Sequence, residues 1–184
     1  MRFAAHLAAA LASAPSASRT FGGPAAVTGP LSGRMPPSFQ LPKNGKAVIL
    51  FDGVCNFCNR WVSLVLDNDP DGLFCFASLQ SDSGRKLLAA CGRGPEDLST
   101  FVVIDAEGFY TQSSAALRVA RTLRKPTLRA LAVAFDPVPL VVRNGVYRFV
   151  ASNRYKILGR AEEGSEPSCK LRADAEQVAE RFLP

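Results

Sequence analysis

The chain has 184 residues, of which 47 % are hydrophobic, and this is enough for one domain with a sizeable core and an appended tail. Residues 1–51 hold five basic and no acidic residues, whereas the remainder holds 17 basic and 16 acidic ones, so the net charge of +6 says little about the partners of the folded part. No run approaches the roughly 18 apolar residues that a membrane span needs, and no transmembrane segment is predicted.

Residues 1–42 are predicted to form a targeting segment outside the folded domain. They are rich in Ala, Ser, Pro and Gly, basic, and free of acidic residues. An organellar transit peptide is the preferred interpretation, with a chloroplast favoured over a mitochondrion. A secretory signal is an alternative, because an apolar stretch follows Arg2 and residues 12–14 resemble a cleavage site, and plain disorder is another. The domain is then predicted to span residues 43–184.

The sequence around residues 47–68 predicts a buried strand, a tight turn and a helix. The apolar run 47–51 has the length of a strand, Gly53 suits a turn, and apolar residues then recur at helical spacing as far as Asn68. The helix is predicted to begin near Cys55. Its thiol would then lie where unpaired backbone N–H groups favour a thiolate, which predicts redox chemistry at this turn.

Cysteine spacing supports the same location. The five cysteines are Cys55, Cys58, Cys75, Cys91 and Cys169. Only the first two form a close pair, which is half of many zinc sites, but no second pair follows and the single histidine lies in the leader. We therefore predict no metal and no cofactor. Cys75 is expected to be buried and inert, and Cys91 to lie near a helix C-terminus, where the dipole disfavours a thiolate.

Hydrophobic patterning then predicts alternating strands and helices. The predicted strands are 73–77, 100–105 and 109–111, and the predicted helices are 85–91 and 115–124. With the first unit they give the order βαβαββα, and a Cys-x-x-Cys pair in this context is typical of a thioredoxin-like α/β fold with a mixed sheet. A cis-proline usually precedes the strand that faces the cysteines in such folds. Here Thr100 either fills that place or the pocket differs.

Ser113 and Ser114 are predicted to cap the helix 115–124. Its basic residues are Arg118, Arg121 and Arg124, followed by Lys125. They are predicted to form a solvated face rather than a nucleic-acid site, because no aromatic or glycine-rich element is interleaved with them.

A helical extension is predicted from about residue 126. Its helices are 127–135, 140–158 and 173–182. Within the second of them, Val146, Phe149 and Val150 are predicted to form the inward stripe.

The chain resembles the DCC family of thiol-disulfide oxidoreductase-like proteins, which is named for Asp-x-x-Cys-x-x-Cys. Asp52, Cys55 and Cys58 match that motif within Phe-Asp-Gly-Val-Cys-Asn-Phe-Cys. The match continues at residues 76–80, 113–117 and 153–159 and extends over about 47–184. It departs from the family where Leu158 replaces a common aromatic residue and where Ser113-Ser114 replaces a frequent Ser-Asp. The resemblance implies a thioredoxin-like fold and disulfide oxidoreductase activity.

The working hypothesis makes Cys55 the nucleophile and Cys58, one helical turn later, the resolving thiol. Asp52 either exchanges a proton with Cys58 or supports the helix or the Gly53 turn. Arg154 and Tyr155 come from the distant matching segment. Arg154 is either a cation near the thiolate or Asp52, or a residue that only packs or forms a surface ion pair. Cys169 is either a third redox thiol or a spectator.

The predicted function is thiol-disulfide exchange with protein or small-molecule disulfides and thiols as substrates and a thiol as electron donor. Two other classes stay open. One is a non-catalytic thioredoxin-like binding or assembly module in an organelle, and the other is a metal or cluster carrier whose cysteine pair would bridge two chains.

Overall fold

A five-stranded mixed sheet organises the computed structural model, which describes residues 30–162 and 166–184. The strands are β1 Ser32–Gly33, β2 Ala47–Phe51, β3 Phe74–Ser78, β4 Val102–Asp105 and β5 Gly108–Thr111. The helices are α1 Pro42–Gly45, α2 Asn56–Asn68, α3 Asp82–Ala90, α4 Gln112–Thr122, α5 Pro126–Phe135, α6 Leu140–Leu158, α7 Ser168–Arg172 and α8 Ala175–Arg181. The strand order is β1-β5-β4-β2-β3, in which only β2 and β3 are parallel.

Strand β2 is covered on both faces, as its unbroken apolar sequence predicts. Ile49 and Phe51 pack against α2 and α4 on one face, while Val48 and Leu50 pack against α3 on the other. Each of the four is at most 1 % exposed. The predicted order βαβαββα with a helical extension is confirmed, and the architecture is thioredoxin-like.

Strand β1 lies within the predicted targeting segment and was not predicted. Ser32 pairs with Tyr110 of β5, and the Thr111 amide donates to the Leu31 carbonyl at 2.9 Å. A two-residue edge strand carries no periodicity that a sequence pattern can reveal. Gly33 is needed there, because a Cβ atom would come within 2.8 Å of the Phe109 ring. The boundary at residue 42 stays a prediction, and the segment 1–29 lies outside the described residues.

Helix α4 begins earlier than predicted. It starts at Gln112 with Thr111 as its N-cap residue, so Ser113 and Ser114 lie inside the helix instead of capping it. The Ser113 hydroxyl donates instead to Asn144 Oδ1 of α6 at 2.5 Å. Tertiary packing between the two helices thus uses the polar side chain that local propensity assigns to a cap.

The predicted inward stripe of α6 is wrong for two of its three residues. Val146 and Phe149 are 62 % and 72 % exposed, and only Val150 is half-buried. The buried positions of α6 are Asn144 and Arg154. Hydrophobic spacing identifies one face of a helix but does not tell whether that face meets the core. In α6 the buried positions are polar instead.

The basic residues on the outer side of α4 form ion pairs with nearby acids. Arg124 pairs with Asp71 at 2.7 Å, and Arg121 pairs with Asp136. Arg118 pairs with Asp105 at the end of β4. None of the helices in the described ranges is both long and apolar enough to span a membrane.

Candidate redox site

The Cys-x-x-Cys pair lies where β2 turns into α2. Cys55 is the N-cap residue of α2, and its Sγ accepts a hydrogen bond from the Cys58 amide at 3.3 Å. Both cysteines are free thiols. The helix start predicted near Cys55 is confirmed, and the first thiol receives the backbone donor that a helix N-terminus offers.

The pKa values of the two thiols are shifted in opposite directions. A hydrogen bond from the Cys58 thiol lowers the pKa of Cys55 from 9.0 to about 7, although burial opposes this shift. The same hydrogen bond raises the pKa of Cys58, and burial adds to that effect. At neutral pH the negative charge of the pair therefore belongs to Cys55.

Asp52 follows β2 directly and is 2 % exposed. Its Oδ2 accepts from Arg154 Nη2 at 3.0 Å and from the Tyr155 hydroxyl. Its Oδ1 accepts from Gln80 Nε2 at 2.8 Å and from the Val54 amide at 3.3 Å. Four donors from different parts of the chain thus fix the carboxylate in one orientation.

Arg154 connects α6 to the loop that precedes β4. In addition to Asp52, its Nη2 donates to the Leu98 carbonyl at 2.7 Å, and its Nη1 donates to the Ser99 carbonyl at 3.4 Å. Tyr155 and Asp52 both raise the pKa of Arg154 although burial opposes them, so the guanidinium stays charged. Arg154 thus lies as a cation beside Asp52, and its role in the site stays a prediction.

A largely apolar cavity of about 230 Å³ adjoins the pair. It is lined by Phe51, Asp52, Phe57, Cys58, Trp61, Leu98, Thr100, Phe101, Ala116, Tyr147, Val150, Ala151 and Arg154. Cys58 is half-buried in its wall, whereas Cys55 is not among the lining residues. The cysteine that borders this cavity is thus Cys58.

Thr100 lies in the same cavity wall just before β4. Its hydroxyl is 2.8 Å from the Tyr147 hydroxyl and accepts from the Gln112 amide at 3.2 Å. No peptide bond within the described ranges is cis. The Thr100 hydroxyl thus links the segment before β4 to α6, and its correspondence to a cis-proline position stays a prediction. Burial raises the pKa of Tyr147 to about 12, so its hydroxyl stays neutral.

A short segment that begins at the end of α6 lies against the turn between β2 and α2, which we call the redox turn. We call residues 158–161 the strap. The Asn56 side chain donates to the Leu158 carbonyl at 3.0 Å, and the Ala161 amide donates to the Val54 carbonyl at 2.9 Å. Cys55 forms an antiparallel bridge with Arg160 and has no exposed surface. The strap thus covers the turn at Cys55.

The remaining cysteines are buried. Burial raises the pKa of Cys75, and it raises the pKa values of Cys91 and Cys169 to about 12. The Cys169 thiol donates to Asn59 Oδ1 at 3.3 Å, and the Asn59 amide group donates to the Gly53 carbonyl at 2.8 Å. Cys169 thus contacts the residue that supports the redox turn, as a neutral thiol.

Sequence reasoning missed Gln80 and Tyr147. Gln80 lies in the segment 76–80 quoted for the family resemblance, so the resemblance alone could have identified it. Tyr147 gave no signal, because one aromatic residue in a helix is not distinctive. No group of three or more His, Cys, Asp or Glu residues within the described ranges is placed to hold a metal ion.

The chain is similar to two known proteins. "Uncharacterized protein YuxK" of Bacillus subtilis is 44 % identical over 147 residues, which are 80 % of this chain and 98 % of that protein. "DCC family protein At1g52590, chloroplastic" of Arabidopsis thaliana is 39 % identical over 126 residues, which are 68 % of this chain and 70 % of that protein. No solved structure matches the chain.

The family comparison covers the redox turn, the cavity and the strap together. The model of the DCC1-like thiol-disulfide oxidoreductases matches residues 49–160, a span that begins within β2 and ends in the strap. Asp52, Cys55, Cys58 and Arg154 all lie inside it. The resemblance inferred from the motif is confirmed, and the chain belongs to the DCC1-like thiol-disulfide oxidoreductase family.

Proposed function

We propose that this protein catalyses thiol-disulfide exchange, with Cys55 as the nucleophile and Cys58 as the resolving thiol. The observation that carries the proposal is the place of Cys55 as the N-cap residue of α2, where its Sγ accepts a hydrogen bond from the Cys58 amide at 3.3 Å. In this arrangement the pKa of Cys55 is lowered to about 7 and that of Cys58 is raised. About half of Cys55 is then thiolate at neutral pH, near the optimum for an attacking thiol.

The exchange proceeds in two steps. The Cys55 thiolate attacks one sulfur of the substrate disulfide, which forms a mixed disulfide and releases the other substrate sulfur as a thiolate. Cys58 then gives its proton to a base and attacks the Cys55 sulfur, which forms the Cys55–Cys58 disulfide and releases the second substrate thiolate. Two electrons pass to the substrate, and an external dithiol or two monothiols must return them to the pair.

Asp52 has two candidate roles in this scheme. Its place beside Cys58 in the cavity wall supports a role as the proton acceptor of the second step. The hydrogen bond from the Val54 amide supports a role in holding the turn. Arg154, Tyr155 and Gln80 act as positioning residues, because they hold the carboxylate.

A non-catalytic binding module is the second candidate. The complete burial of Cys55 favours it, because a nucleophile must meet its substrate sulfur. Under the first proposal, the strap has to move before Cys55 reacts.

A trapping experiment separates the two functions. The Cys58→Ser variant, incubated with a protein disulfide such as insulin, should accumulate a mixed disulfide through Cys55, because the resolving thiol is missing. Cys55→Ser should lose about a thousandfold or more in insulin reduction. Cys91→Ser, which removes a buried thiol from the opposite face of the sheet, is the control and should keep the wild-type rate. Wild-type turnover by Cys55→Ser would contradict the oxidoreductase proposal.

An organellar location, with a chloroplast favoured, is also proposed. The name of the Arabidopsis relative and the acid-free composition of residues 1–42 support it. Residues 1–42 fused to a fluorescent protein should enter plastids of plant cells, and secretion of the fusion would contradict this location.

A further inference from the structure

The apolar cavity beside Cys58 has no role in the exchange steps themselves. We infer that it is a substrate subsite that takes a bulky apolar side chain next to the disulfide-bonded cysteine of a peptide or protein. The inference rests on the proposed function, and it makes apolar-flanked protein disulfides, rather than hydrophilic small disulfides such as glutathione disulfide, the preferred substrates.

The position of the cavity links its occupant to the redox pair. Cys58 forms part of the wall, and Phe57, the residue between Cys58 and Asn56, forms another part. A side chain held in the cavity therefore lies against the Cys-x-x-Cys turn. The residue that carries it has to be close in sequence to the cysteine whose disulfide reacts there.

The size of the cavity fits one side chain. Sites for drug-sized ligands and cofactors occupy about 300–1,000 Å³, whereas an apolar cavity of about 150 Å³ already holds benzene. The volume of about 230 Å³ lies between the two. It suits an aromatic ring or a branched aliphatic group together with its connecting carbon.

The lining of the cavity favours an apolar occupant. Trp61 and Phe101 form a tilted aromatic pair with ring centroids 4.7 Å apart. Phe101 and Tyr147 form a second tilted pair, with ring centroids 6.0 Å apart. Such rings offer a large apolar surface and edge-to-face contacts to another ring.

Most polar groups of the wall already have partners; the exception is Arg154 Nε, which is buried without one. Arg154 is paired with Asp52, so the two charges compensate each other. The Thr100 and Tyr147 hydroxyls bond to each other. A charged side chain entering the cavity would lose its hydration without gaining a counter-charge, and it is therefore disfavoured.

The chain offers a matched pair of variants on α6. Val150 lines the cavity and is half-buried, so Val150→Phe fills the space. Val146, one turn earlier, points away from the core and is 62 % exposed, so Val146→Phe adds the same atoms outside the cavity. Equal far-ultraviolet circular dichroism of both variants establishes that they fold.

The test compares three peptide disulfides in which both neighbours of the cysteine are Phe, Ala or Glu. With dithiothreitol as electron donor, the wild type should reduce the Phe peptide with a kcat/KM roughly tenfold to a hundredfold above that for the Glu peptide. Val150→Phe should abolish this preference, whereas Val146→Phe should keep both the preference and the rate for the Ala peptide. Equal kcat/KM for the three peptides, or an unchanged preference in Val150→Phe, would overturn the subsite.

Trp61 gives a second readout that does not need turnover. It is the single tryptophan of the chain, and it lines the cavity. A Phe-Ser-Phe peptide, which cannot form a disulfide, should change the Trp61 fluorescence of the wild type but not that of Val150→Phe. Binding without any disulfide reduction would overturn the proposed function and support the subsite. Reduction of all peptides without a fluorescence change would overturn the subsite and support the function.

Discussion

Hydrogen bonds from the thiol and the amide of Cys58 lower the pKa of Cys55, burial raises it, and two opposite charges modify it further. The thiol of Cys58 has the largest effect and lowers the pKa of Cys55, while Asp52 raises it and Arg154 lowers it. The two charges form an ion pair at 3.0 Å, so their effects on the thiolate partly cancel. Replacing one residue of this ion pair should therefore shift the pKa of Cys55 in the direction set by the remaining charge.

We predict that Asp52→Asn moves the pKa of Cys55 below about 7, because the substitution removes the negative charge that opposes the thiolate and leaves Arg154 in place. The iodoacetamide alkylation rate of Cys55, followed by mass spectrometry over pH 4–9, should show a midpoint at lower pH. Arg154→Gln should shift the midpoint in the opposite direction.

Asp67→Asn is the control for the Asp52 substitution. Asp67 is an exposed acid on α2, so its replacement should leave the midpoint unchanged. An Asp52→Asn midpoint equal to that of the wild type would show that the carboxylate does not act on Cys55 through its charge. The pH profile of disulfide reduction in the same variants then tests the role of Asp52 as the proton acceptor for Cys58.

The sequence could identify the residues that are close together along the chain. Asp52, Cys55 and Cys58 follow from an apolar run that ends in an acid and a cysteine pair, because strand and helix patterns act over a few residues. Arg154 and Tyr155 became candidates only through the family resemblance, since their contact with Asp52 spans more than 100 positions. Local periodicity carries no information at that distance.

Among the elements, α6 and the strap that follows it define the redox site. Helix α6 brings Tyr147, Val150 and Arg154 to the cavity, and the strap lies against the turn at Cys55. The helix pattern of residues 140–158 and its end at Gly159 were predicted correctly, but its orientation was not. Asn144 and Arg154 are buried through hydrogen bonds to distant partners, and a hydrophobicity pattern cannot anticipate such burial.

We predict that weakening the strap makes Cys55 more accessible. Asn56→Ala removes the hydrogen bond from Asn56 Nδ2 to the Leu158 carbonyl, which has a length of 3.0 Å. One such bond contributes about 1 kcal/mol, so opening of the strap should become about fivefold more frequent. The alkylation rate of Cys55 above pH 9, where the thiol is ionised in both proteins and a pKa change has no effect, should rise by the same factor.

Asn153→Ala provides the matched control for the strap. Its Nδ2 donates to the Phe149 carbonyl at 2.8 Å within α6, on an exposed side of the helix. This substitution removes an equivalent bond away from the strap and should leave the alkylation rate of Cys55 unchanged. An Asn56→Ala rate no higher than that of Asn153→Ala would mean that Cys55 is reached by another route.

At the scale of the whole molecule, the redox turn and the cavity beside it are formed by parts of the chain that are far apart in sequence. Gln80 follows β3, Thr100 precedes β4, and Arg154 comes from the helical extension. The βαβαββα order was predictable because each element has its own periodicity. The covering of the turn by α6 and the addition of β1 to the sheet were not, since both are long-range pairings.

The lowered pKa of Cys55 links the stability of the reduced protein to pH. Because its folded-state pKa of about 7 lies below the ordinary value of 9.0, the thiolate stabilises the folded state fully above pH 9, and this contribution is lost as the pH falls through 7. The raised pKa of Cys58 has the opposite effect, but only above its unfolded value near 9, where the unfolded chain alone loses this proton. The contribution of Cys55 to stability can therefore be measured separately from that of Cys58 between pH 6 and 8.5.

Within this window, the free energy of unfolding of the reduced wild type should rise relative to that of Cys55→Ser by about 2 kcal/mol, because one pKa unit corresponds to about 1.4 kcal/mol. Urea denaturation in the presence of a phosphine reductant measures the difference at each pH. The contributions of Cys75, Cys91 and Cys169 are common to both proteins and cancel in the comparison. A difference that stays constant or falls from pH 6 to 8.5 would show that the folded state does not favour the Cys55 thiolate, and the nucleophile would then have to be sought at Cys58, the thiol in the cavity wall.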